Sequence, residues 1–396
     1  MNIIRSIPYI DYTSPCFNCI NETDVLLGAI TPFLGFTIIL LRSSFIKSIK
    51  YVIDVFDVFF VISIFTLFLT SIYATDFVES LDYSLRFLFL GSPFFYVPKI
   101  LIINSNNYEG YLKSLLIYSF LLAVALGVFG GFLYLFKGYG HGAYRLTLPG
   151  VHPIPFSQLI GLGIITSFIM FITNGRFFNI QSKFKLNFNK VILPLLVLLL
   201  LATQTRGVML SVTISFMLYL VLAKVKIKRS VIYASAAFMV LALIVAIQYI
   251  DFEVLFERLL AKQTEKSVDD RFIAYSDSIA IFLDHPFGIG PDAFKYYSIL
   301  PYPHNLFLEF LGQYGLFGLV MSLYLVFLIV YMYFITYKLR RFNLIYIILL
   351  ALFFYYFIEA MFSFTLWMHK GMFLTLGLFA GYHYKLRKQK ELIDIK

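Results

Sequence analysis

Three ionisable residues in the second half of the chain, Arg206, Arg271 and His304, have side chains suited to phosphate and hydroxyl chemistry. An arginine can clamp a phosphate or pyrophosphate through two parallel hydrogen bonds. An imidazole, with an unperturbed pKa of about 6.5, can take a proton from a hydroxyl near neutral pH. Together these groups would suit displacement of a pyrophosphate leaving group by an alcohol. Each also has a plainer interpretation: a membrane anchor for Arg206, an ion pair with Asp269 or Asp270 for Arg271, and a helix cap for His304.

The composition determines which elements must position these residues. Of the 396 residues, 60% are hydrophobic and only 14% are charged, which lies outside the range of soluble globular proteins. Apolar stretches of about 20 residues, long enough to cross a bilayer as helices, recur along most of the chain. The sequence therefore predicts an all-α, polytopic membrane protein that forms a single integral membrane domain over residues 1–396. About eleven membrane helices are predicted, near 24–41, 52–73, 83–103, 112–136, 155–173, 190–205, 206–223, 230–250, 304–336, 343–366 and 371–385.

The loops between these helices differ in charge. Most lysines and arginines lie in alternate loops, and the positive-inside rule places those loops in the cytoplasm. The other loops, among them the long segment 251–303, are then extracytoplasmic, with the N-terminus outside and the C-terminus inside. Residues 1–23 lack the pattern of a cleavable signal. A further membrane segment there would reverse the predicted position of the N-terminus.

The loop 251–303 is the only sizeable extramembrane subdomain predicted. Ser267-Val268-Asp269-Asp270 has the form of a helix start, which would put Arg271 in the first helical turn, where unpaired backbone N–H groups favour an anion. Apolar residues then follow at helical spacing and predict an amphipathic helix on the membrane surface: Phe272, Tyr275, Ile279 and Phe282. A glycine-rich turn, residues 288–291, comes after it.

Two further patterns concern the helices that would carry Arg206 and His304. The apolar run 191–223 is long for one span, and its polar break at 203–207 predicts a tight outer hairpin with Arg206 at the membrane boundary. Beyond His304, glycines recur every third residue at Gly312, Gly315 and Gly318. Such spacing predicts a stripe on one face of the helix, against which a neighbouring helix packs closely and holds His304 rigidly.

These motifs resemble those of a known family. His304-Asn305, nine residues and Gly315-Leu-Phe-Gly318 resemble the His-[Asn/Ser/Gln]-x9-Gly-x-x-Gly pattern of the O-antigen ligase and polymerase superfamily. The break around Arg206 looks like the arginine at an outer hairpin of that family. Arg271, followed by Pro286-Phe-Gly-Ile-Gly290, looks like its outer-loop arginine and Pro-x-Gly-x-Gly turn. The resemblance covers roughly residues 190–320, and the first half of the chain carries no motif that matches.

The resemblance implies a GT-C-like bacterial glycosyltransferase of the cytoplasmic (inner) membrane, with its active site on the periplasmic face. Its donor would be an undecaprenyl-pyrophosphate-linked glycan, with the pyrophosphate between Arg206 and Arg271. His304 would be the general base of an inverting transfer, and Asn305 and Arg145 are candidate substrate-binding residues. Neither a metal nor another cofactor is expected. Expected partners are the glycan or lipid A-core acceptor, membrane lipids, and flippase and chain-length regulator proteins, with no nucleic acid.

Three functions compete for these features. The compact outer loop and the Pro-His-Asn context favour a polymerase that joins lipid-linked repeat units, with a ligase that transfers the polysaccharide to lipid A-core as the alternative. A flippase would instead show charged residues spread through its membrane helices and an internal repeat. Here the ionisable residues concentrate on one face, which favours an enzyme. A non-enzymatic scaffold explains His304 and the two arginines least well.

Five acidic residues receive structural interpretations. Asp76, Glu79 and Asp82 are predicted to form a solvated acidic loop on the outer side, although lipid-donor glycosyltransferases can use such acids with a metal. Glu359 lies deep within a predicted helix, which indicates a buried hydrogen-bonding role. Glu309 lies five residues beyond His304, too far around the helix to orient the imidazole.

The remaining polar groups are assigned to the cytoplasmic side or to the leader. Asp54 and Asp57 share a helix face near its cytoplasmic end and are interpreted as interfacial. Lys99 is expected to extend its ammonium group to the membrane surface. Cys16 and Cys19 form a lone Cys-x-x-Cys pair, which is weak as a metal site without further ligands.

Overall fold

The computed structural model describes residues 49–137, 145–148, 151–180, 182–224, 265–340 and 343–394. The helices predicted near 24–41 and 230–250, the leader with its two cysteines, and residues 251–264 lie outside these ranges. Every other predicted membrane helix is found as a helix. The all-α class is therefore confirmed for the described part of the chain.

Eleven α-helices organise the described residues. In chain order they are α1 (Val55–Ser71), α2 (Phe77–Arg86), α3 (Pro93–Asn104), α4 (Tyr108–Lys137), α5 (Pro153–Ile172), α6 (Lys183–Ala202), α7 (Arg206–Ala223), α8 (Glu265–Asp284), α9 (Leu306–Leu339), α10 (Leu344–Ala360) and α11 (Lys370–Asp394). A π-helical turn, Phe87–Gly91, joins α2 to α3. A short 3-10 turn, Leu366–Met368, lies between α10 and α11.

Five stretches are long and apolar enough to cross a membrane: Phe77–Asn104, Tyr108–Phe136, Pro153–Ile172, Arg206–Ala223 and Leu306–Leu339. Shorter apolar helices accompany them at Val55–Ser71, Asn187–Ala202 and Leu344–Ala360. Several helices of this kind in one chain indicate a multi-pass membrane protein. The total of eleven spans and the sidedness of the loops stay predictions.

The acids near residue 80 form part of a helix, so their assignment to a solvated loop is wrong. Asp76 is the N-cap of α2 and accepts a hydrogen bond from the Glu79 backbone N–H at 3.0 Å, which starts the helix earlier than predicted. Glu79 forms a 2.7 Å ion pair with Lys295, and Asp82 pairs with Arg86 at 2.6 Å. The backbone cap and the two ion pairs explain these acids as structural residues.

Helices α1, α3 and α11 form an aromatic core. Phe60 of α1 stacks on Phe95 of α3 with 4.2 Å between ring centroids, and Phe373 of α11 meets Phe60 edge-on at 5.2 Å. All three side chains are fully buried. Helices α3 and α11 approach closely because Gly377 lacks a side chain, and a Cβ there would lie 2.2 Å from the Phe95 carbonyl oxygen.

A buried charge cluster lies near the start of α1 and the end of α3, and we call Lys99, Asp54, Asp57 and Tyr51 the Lys99 cluster. Lys99 is 0% exposed, so the expected extension of its ammonium group to the surface is wrong. Asp57 is 3% exposed, and its position at the membrane interface stays a prediction. The Lys99 ammonium forms ion pairs with Asp57 and, at 3.0 Å, with Asp54, and the Tyr51 hydroxyl donates to Asp57. The capping box of α1 holds both carboxylates toward α3.

Helix α9 is broken at Gly315, which has φ 58° and ψ −132°. The predicted glycine stripe is therefore wrong in part. Gly312 does face α8, with its Cβ position 3.4 Å from the Ser278 Cα, but a Cβ on Gly315 would lie 2.2 Å from the Pro286 carbonyl oxygen. Gly318 packs against Phe310 of its own helix. Because glycine tolerates a positive φ, this spacing marks a break in the helix.

The glycine-rich turn before α9 fills that break. Gly288 and Gly290 both have positive φ, as the predicted turn requires. Backbone hydrogen bonds join the two segments, from Leu316 N–H to the Pro286 carbonyl at 2.8 Å and from Gly290 N–H to the Gln313 carbonyl at 2.9 Å. The turn thus forms hydrogen bonds with the backbone N–H and C=O groups that have no helical partner at the break. These bonds also fix the position of the loop that leads to His304.

Helix α8 is amphipathic, as predicted. Phe272 and Ile279 are more than half exposed, whereas Ala274 and Ser278 are buried on the side that packs against α9. The helix begins at Glu265, so Arg271 lies in its second turn and not in the first. The argument that Arg271 lies at an anion-binding helix N-terminus is therefore wrong. Its guanidinium must act through its own charge.

Candidate functional site

His304 lies two residues before the start of α9, next to the N-cap. Its φ of 56° is left-handed, a conformation that costs most residues about 1–2 kcal/mol. Asn305 is the N-cap, and its side-chain oxygen accepts from the backbone N–H groups of Phe307 at 3.1 Å and Leu308 at 3.2 Å. The capping interpretation of His304 is therefore wrong, because Asn305 does the capping. The cap fixes the start of α9 and leaves the imidazole turned out of the helix.

The imidazole is partly buried against Tyr302, with 4.3 Å between the two ring centroids. Its Nδ1 is buried and has no hydrogen-bond partner among the residues that the structure describes. Burial also raises the pKa of Tyr302 to about 12, so this neighbour stays a neutral phenol. Leaving a buried polar atom unpaired costs about 1–3 kcal/mol, and such atoms are enriched where a ligand completes the site.

Arg271 lies close enough to act on His304 electrostatically. Burial lowers the pKa of His304 to about 4, and the positive charge of Arg271 acts in the same direction. The imidazole is therefore neutral at neutral pH, which is the form that accepts a proton. Within the described ranges no acid forms an ion pair with Arg271, so the pairing with Asp270 is wrong, and the Asp269 side chain is outside those ranges.

Arg206 is the first residue of α7 and is exposed. As predicted, the polar break separates two helices, since α6 ends at Ala202 and α7 begins at Arg206. Arg145 lies at the same corner, where its Nε donates to the Thr203 carbonyl oxygen at 3.1 Å. The backbone N–H of Leu146 donates to the Ala202 carbonyl oxygen at 3.0 Å and holds the two segments together. Two predicted site arginines thus share one corner of the bundle.

Glu359 connects the Arg206 corner to Arg271. Its carboxylate lies against the first turn of α7, where a Cβ on Gly207 would be 3.3 Å from the Glu359 Oε2 atom. The charge of Arg271 also acts on this carboxylate. Glu359 is 2% exposed, and its Oε2 has no hydrogen-bond partner in the described part of the chain. Burial opposes ionisation of such a carboxyl, whereas the helix N-terminus and the Arg271 charge favour it.

Glu309 takes a different role in the same end of the bundle. Its Oε1 accepts hydrogen bonds from the Tyr83 hydroxyl at 2.7 Å, from the Leu366 backbone N–H at 3.1 Å and from the Thr365 hydroxyl. These bonds tie the first turns of α9 to α2 and to the segment before α11. Glu309 therefore anchors the helix that follows His304, and the expectation that it does not orient the imidazole agrees with these contacts.

The structure thus brings Arg271 and His304 together and links Arg206 and Arg145 to them through the Glu359 region. Asn305 adjoins His304, but its side-chain oxygen is used for capping, and a contact with substrate stays a prediction. Sequence reasoning missed the connection between Glu359 and Arg271. The available signal was a lone acid deep in an apolar helix, a position that is costly without a specific partner.

The family comparison covers the residues that build this site. Residues 191–323 match the family model described as O-antigen ligase. The matched segment contains Arg206, Arg271 and His304 together with the break at Gly315. No curated protein matches the chain. The resemblance predicted from the His304 motif is confirmed: residues 191–323 are similar to the O-antigen ligase family.

Proposed function

We propose that the chain is a glycosyltransferase that joins lipid-linked oligosaccharides at the extracytoplasmic face of the bacterial cytoplasmic membrane. The observation that supports this proposal most directly is the pairing of a neutral, partly buried His304 with the Arg271 guanidinium. A proton acceptor beside an anion-binding group is what the displacement of a pyrophosphate by a hydroxyl requires. The family match of residues 191–323 points to the same class of reaction.

The reaction would proceed by inverting substitution. The acceptor hydroxyl gives its proton to His304 while its oxygen forms a bond to the anomeric carbon of the donor glycan. The bond from that carbon to the pyrophosphate oxygen breaks, and the electron pair leaves with the polyprenyl pyrophosphate. Arg206 and Arg271 would stabilise the charge that develops on this leaving group. Their guanidinium groups supply the positive charge, so we expect no requirement for an added metal.

Binding of the donor would also change the basicity of His304. In the free protein, burial and the Arg271 charge keep the pKa of His304 at about 4, which makes the imidazole a weak base. A bound pyrophosphate brings negative charge that neutralises Arg271 and raises the proton affinity of the ring. His304 would thus become an effective base only when the donor is in place. Glu359 would hold the Arg271 guanidinium ready between turnovers.

Polymerase activity is our first choice within this class, because the outer loop is compact and offers little surface for a large acceptor. Ligase activity, the description of the matched family, is the second candidate. Deleting the encoding gene and examining the lipopolysaccharide on a gel separates the two. A single repeat unit left on lipid A-core indicates a polymerase. Loss of every attached repeat, with lipid-linked polymer accumulating, indicates a ligase.

A purified assay tests the reaction itself. The protein, incubated with undecaprenyl-pyrophosphate-linked oligosaccharide and EDTA, should lengthen the glycan. His304→Asn is the variant of choice, because asparagine tolerates the left-handed backbone at this position and cannot act as a base. We expect a loss of about 10²–10⁴-fold in rate, the usual contribution of a general base. His285→Asn, in the exposed loop before α9, is the matched control and should retain activity. Full activity of His304→Asn would refute the base assignment.

A further inference from the structure

A lateral groove opens on the flank of the bundle formed by α3, α4 and α11. It has a volume of about 280 Å³, and almost all the atoms that line it are apolar. The side chains that matter here are Phe94, Val97 and Leu101 of α3, Leu115 of α4, and Leu374 and Leu378 of α11. The stretch of α3 from Pro93 to Leu101 runs along it, and its eight steps of 1.5 Å correspond to about 12 Å. This length is close to the apolar depth of one leaflet, about 15 Å.

Cationic side chains lie at one end of this groove. The Lys370 ammonium is 5.6 Å from the ring centroid of Phe94, which itself lines the groove. Lys370 is also 5.5 Å from the Trp367 ring, and the Arg86 guanidinium is 5.8 Å from the same ring. Lys370 precedes Leu374 by four residues on α11, so the cation and the groove share one helix face. An apolar slot with cations at its head complements a lipid that has an anionic headgroup.

The lining and the charge favour a lipid chain as the occupant. The groove offers almost no polar atom to a peptide backbone. One flexible apolar chain, lying along α3 with its phosphate at Lys370, matches the apolar lining, the length along α3 and the charge. The slot therefore suits the first few units of a long isoprenoid tail, with the remainder in the bilayer.

The cationic end of the groove is connected to the helix that carries the candidate base. Thr365 and Leu366, just before Trp367, bind Glu309 in the first turns of α9. The arginines assigned to the donor lie elsewhere, on α7 and α8. A polymerase must hold two lipid-linked glycans at once, so it needs a second lipid site with its own cations.

We propose that this groove binds the acceptor substrate, with the polyprenyl chain along α3 and its pyrophosphate at Lys370. This inference rests on the proposed function. The donor would approach from the flank of α7 and α8 and the acceptor from the flank of α3 and α11, so that the two glycans meet at His304.

Trp367 is the only tryptophan of the chain, which provides a direct binding assay. The full-length protein is reconstituted in phosphatidylcholine vesicles that contain bromine-labelled phosphatidylcholine, whose chains quench nearby indole fluorescence. Undecaprenyl phosphate at a few mole per cent should displace the labelled chains and restore the fluorescence of Trp367. Phosphatidylglycerol at the same mole fraction should not. Equal restoration by both lipids would overturn the assignment in favour of a general anionic phospholipid site.

Matched variants separate the groove from the bulk membrane. Val97→Phe fills the groove, while Val61→Phe adds the same volume to a residue of α1 that is 60% exposed. We expect undecaprenyl phosphate to restore fluorescence in Val61→Phe and not in Val97→Phe. Lys370→Gln should weaken the response about tenfold, the loss expected for about 1.4 kcal/mol. No response to undecaprenyl phosphate in the parent protein would overturn the proposal.

Steady-state kinetics test whether the lipid in the groove is the acceptor. With lipid-linked polymer saturating as donor and the lipid-linked single repeat unit varied, Val97→Phe should raise the KM for the acceptor about tenfold and leave the KM for the donor unchanged. A rise in the donor KM alone would overturn the acceptor assignment. The quenching assay needs no turnover, so lipid binding without any glycan transfer would refute the proposed function and leave the groove as a polyprenyl phosphate site.

Discussion

The two ends of the helix bundle use buried polar groups in opposite ways. In the Lys99 cluster a fully buried ammonium meets two carboxylates, and the Tyr51 hydroxyl completes the set. At the other end, His304 Nδ1 and Glu359 Oε2 are buried with no hydrogen-bond partner among the described residues. Both ends contain charges that are costly to bury, but only one of them balances those charges internally.

The difference shows how structural and functional charges can be told apart in a membrane protein. A buried ion pair with every partner present stabilises a particular packing of helices, and it has nothing left with which to bind a ligand. Unsatisfied groups lower stability unless a substrate completes them. Burial alone therefore does not identify a site. An unpaired nitrogen together with the nearby Arg271 charge distinguishes His304 from Lys99, whose ammonium meets two carboxylates.

Removing Lys99 should have the largest effect on stability. Lys99→Met leaves the buried Asp57 without its cation, beside the half-buried Asp54, and we expect the free energy of unfolding to fall by about 3–5 kcal/mol. Thermal unfolding in detergent measures the change. Lys338→Met, an exposed lysine near the end of α9, should shift it by no more than about 0.5 kcal/mol. A Lys99→Met protein as stable as the parent would mean that this cluster is not structural.

Gly315→Ala tests the packing of the glycine-rich turn against the break in α9. This packing depends on backbone hydrogen bonds and not on ion pairs. A Cβ at Gly315 would meet the Pro286 carbonyl oxygen at 2.2 Å and would also need a left-handed backbone. We expect a loss of about 3 kcal/mol, from strain and from separation of the two segments. Gly312→Ala, in the same helix with 3.4 Å of clearance, is the matched control. Equal stability of both variants would show that the break tolerates a side chain.

Glu359→Gln should affect turnover more than stability, the reverse of the effect at Lys99. The amide keeps the shape of the side chain but removes the negative charge beside Arg271. We expect the rate of glycan transfer to fall about 10–100-fold, equivalent to about 1.4–2.8 kcal/mol, with the unfolding temperature nearly unchanged. Glu109→Gln, at the opposite end of the bundle, should change neither quantity. A lower unfolding temperature of Glu359→Gln, with the specific activity unchanged, would indicate that Glu359 has a structural role.

The pH profile gives the smallest and most specific effect. Because the pKa of His304 is lowered to about 4, the free protein keeps a neutral base as pH falls from 7 and loses it only near pH 4. The acid limb of kcat/KM, which reports the free enzyme, should therefore lie near pH 4. The limb of kcat should lie at higher pH, since bound pyrophosphate raises the proton affinity of His304. If the acid limbs of kcat and kcat/KM lay at the same pH, the proposal that bound donor makes His304 more basic would be contradicted.

The sequence was sufficient for the helical architecture of the described residues, because hydropathy marks the helices along the chain. Other features depend on tertiary contacts. The spacing of the glycines could not show that Gly315 has a positive φ, because glycine occurs both in helix-packing stripes and at breaks in helices. Whether the Lys99 side chain is buried or reaches the surface depends on how closely α1 and α3 pack. A lysine near a helix end usually reaches the surface.

The helix start before Arg271 shows another limit of the sequence. The Ser267-to-Asp270 pattern resembles a capping motif, but the helix begins at Glu265, so the residues of that motif are already helical. A local capping pattern can lie inside a longer helix, where the contacts of the whole helix outweigh it. The position of Glu359 in an apolar helix likewise indicated that its burial is costly. The sequence could not show which group it meets, because its neighbour Gly207 lies in a distant part of the chain.

Chemical rescue tests the central claim most directly. His304→Gly accepts the left-handed backbone and leaves a space where the imidazole was. We expect its rate of glycan transfer to fall about 10²–10⁴-fold and to recover in part, with saturation, when imidazole is added to the assay. Recovery would assign proton transfer to this position. A variant that transfers glycan at the parent rate without imidazole, or one that imidazole leaves inactive while it still folds and binds donor, would contradict the role of His304 as the base.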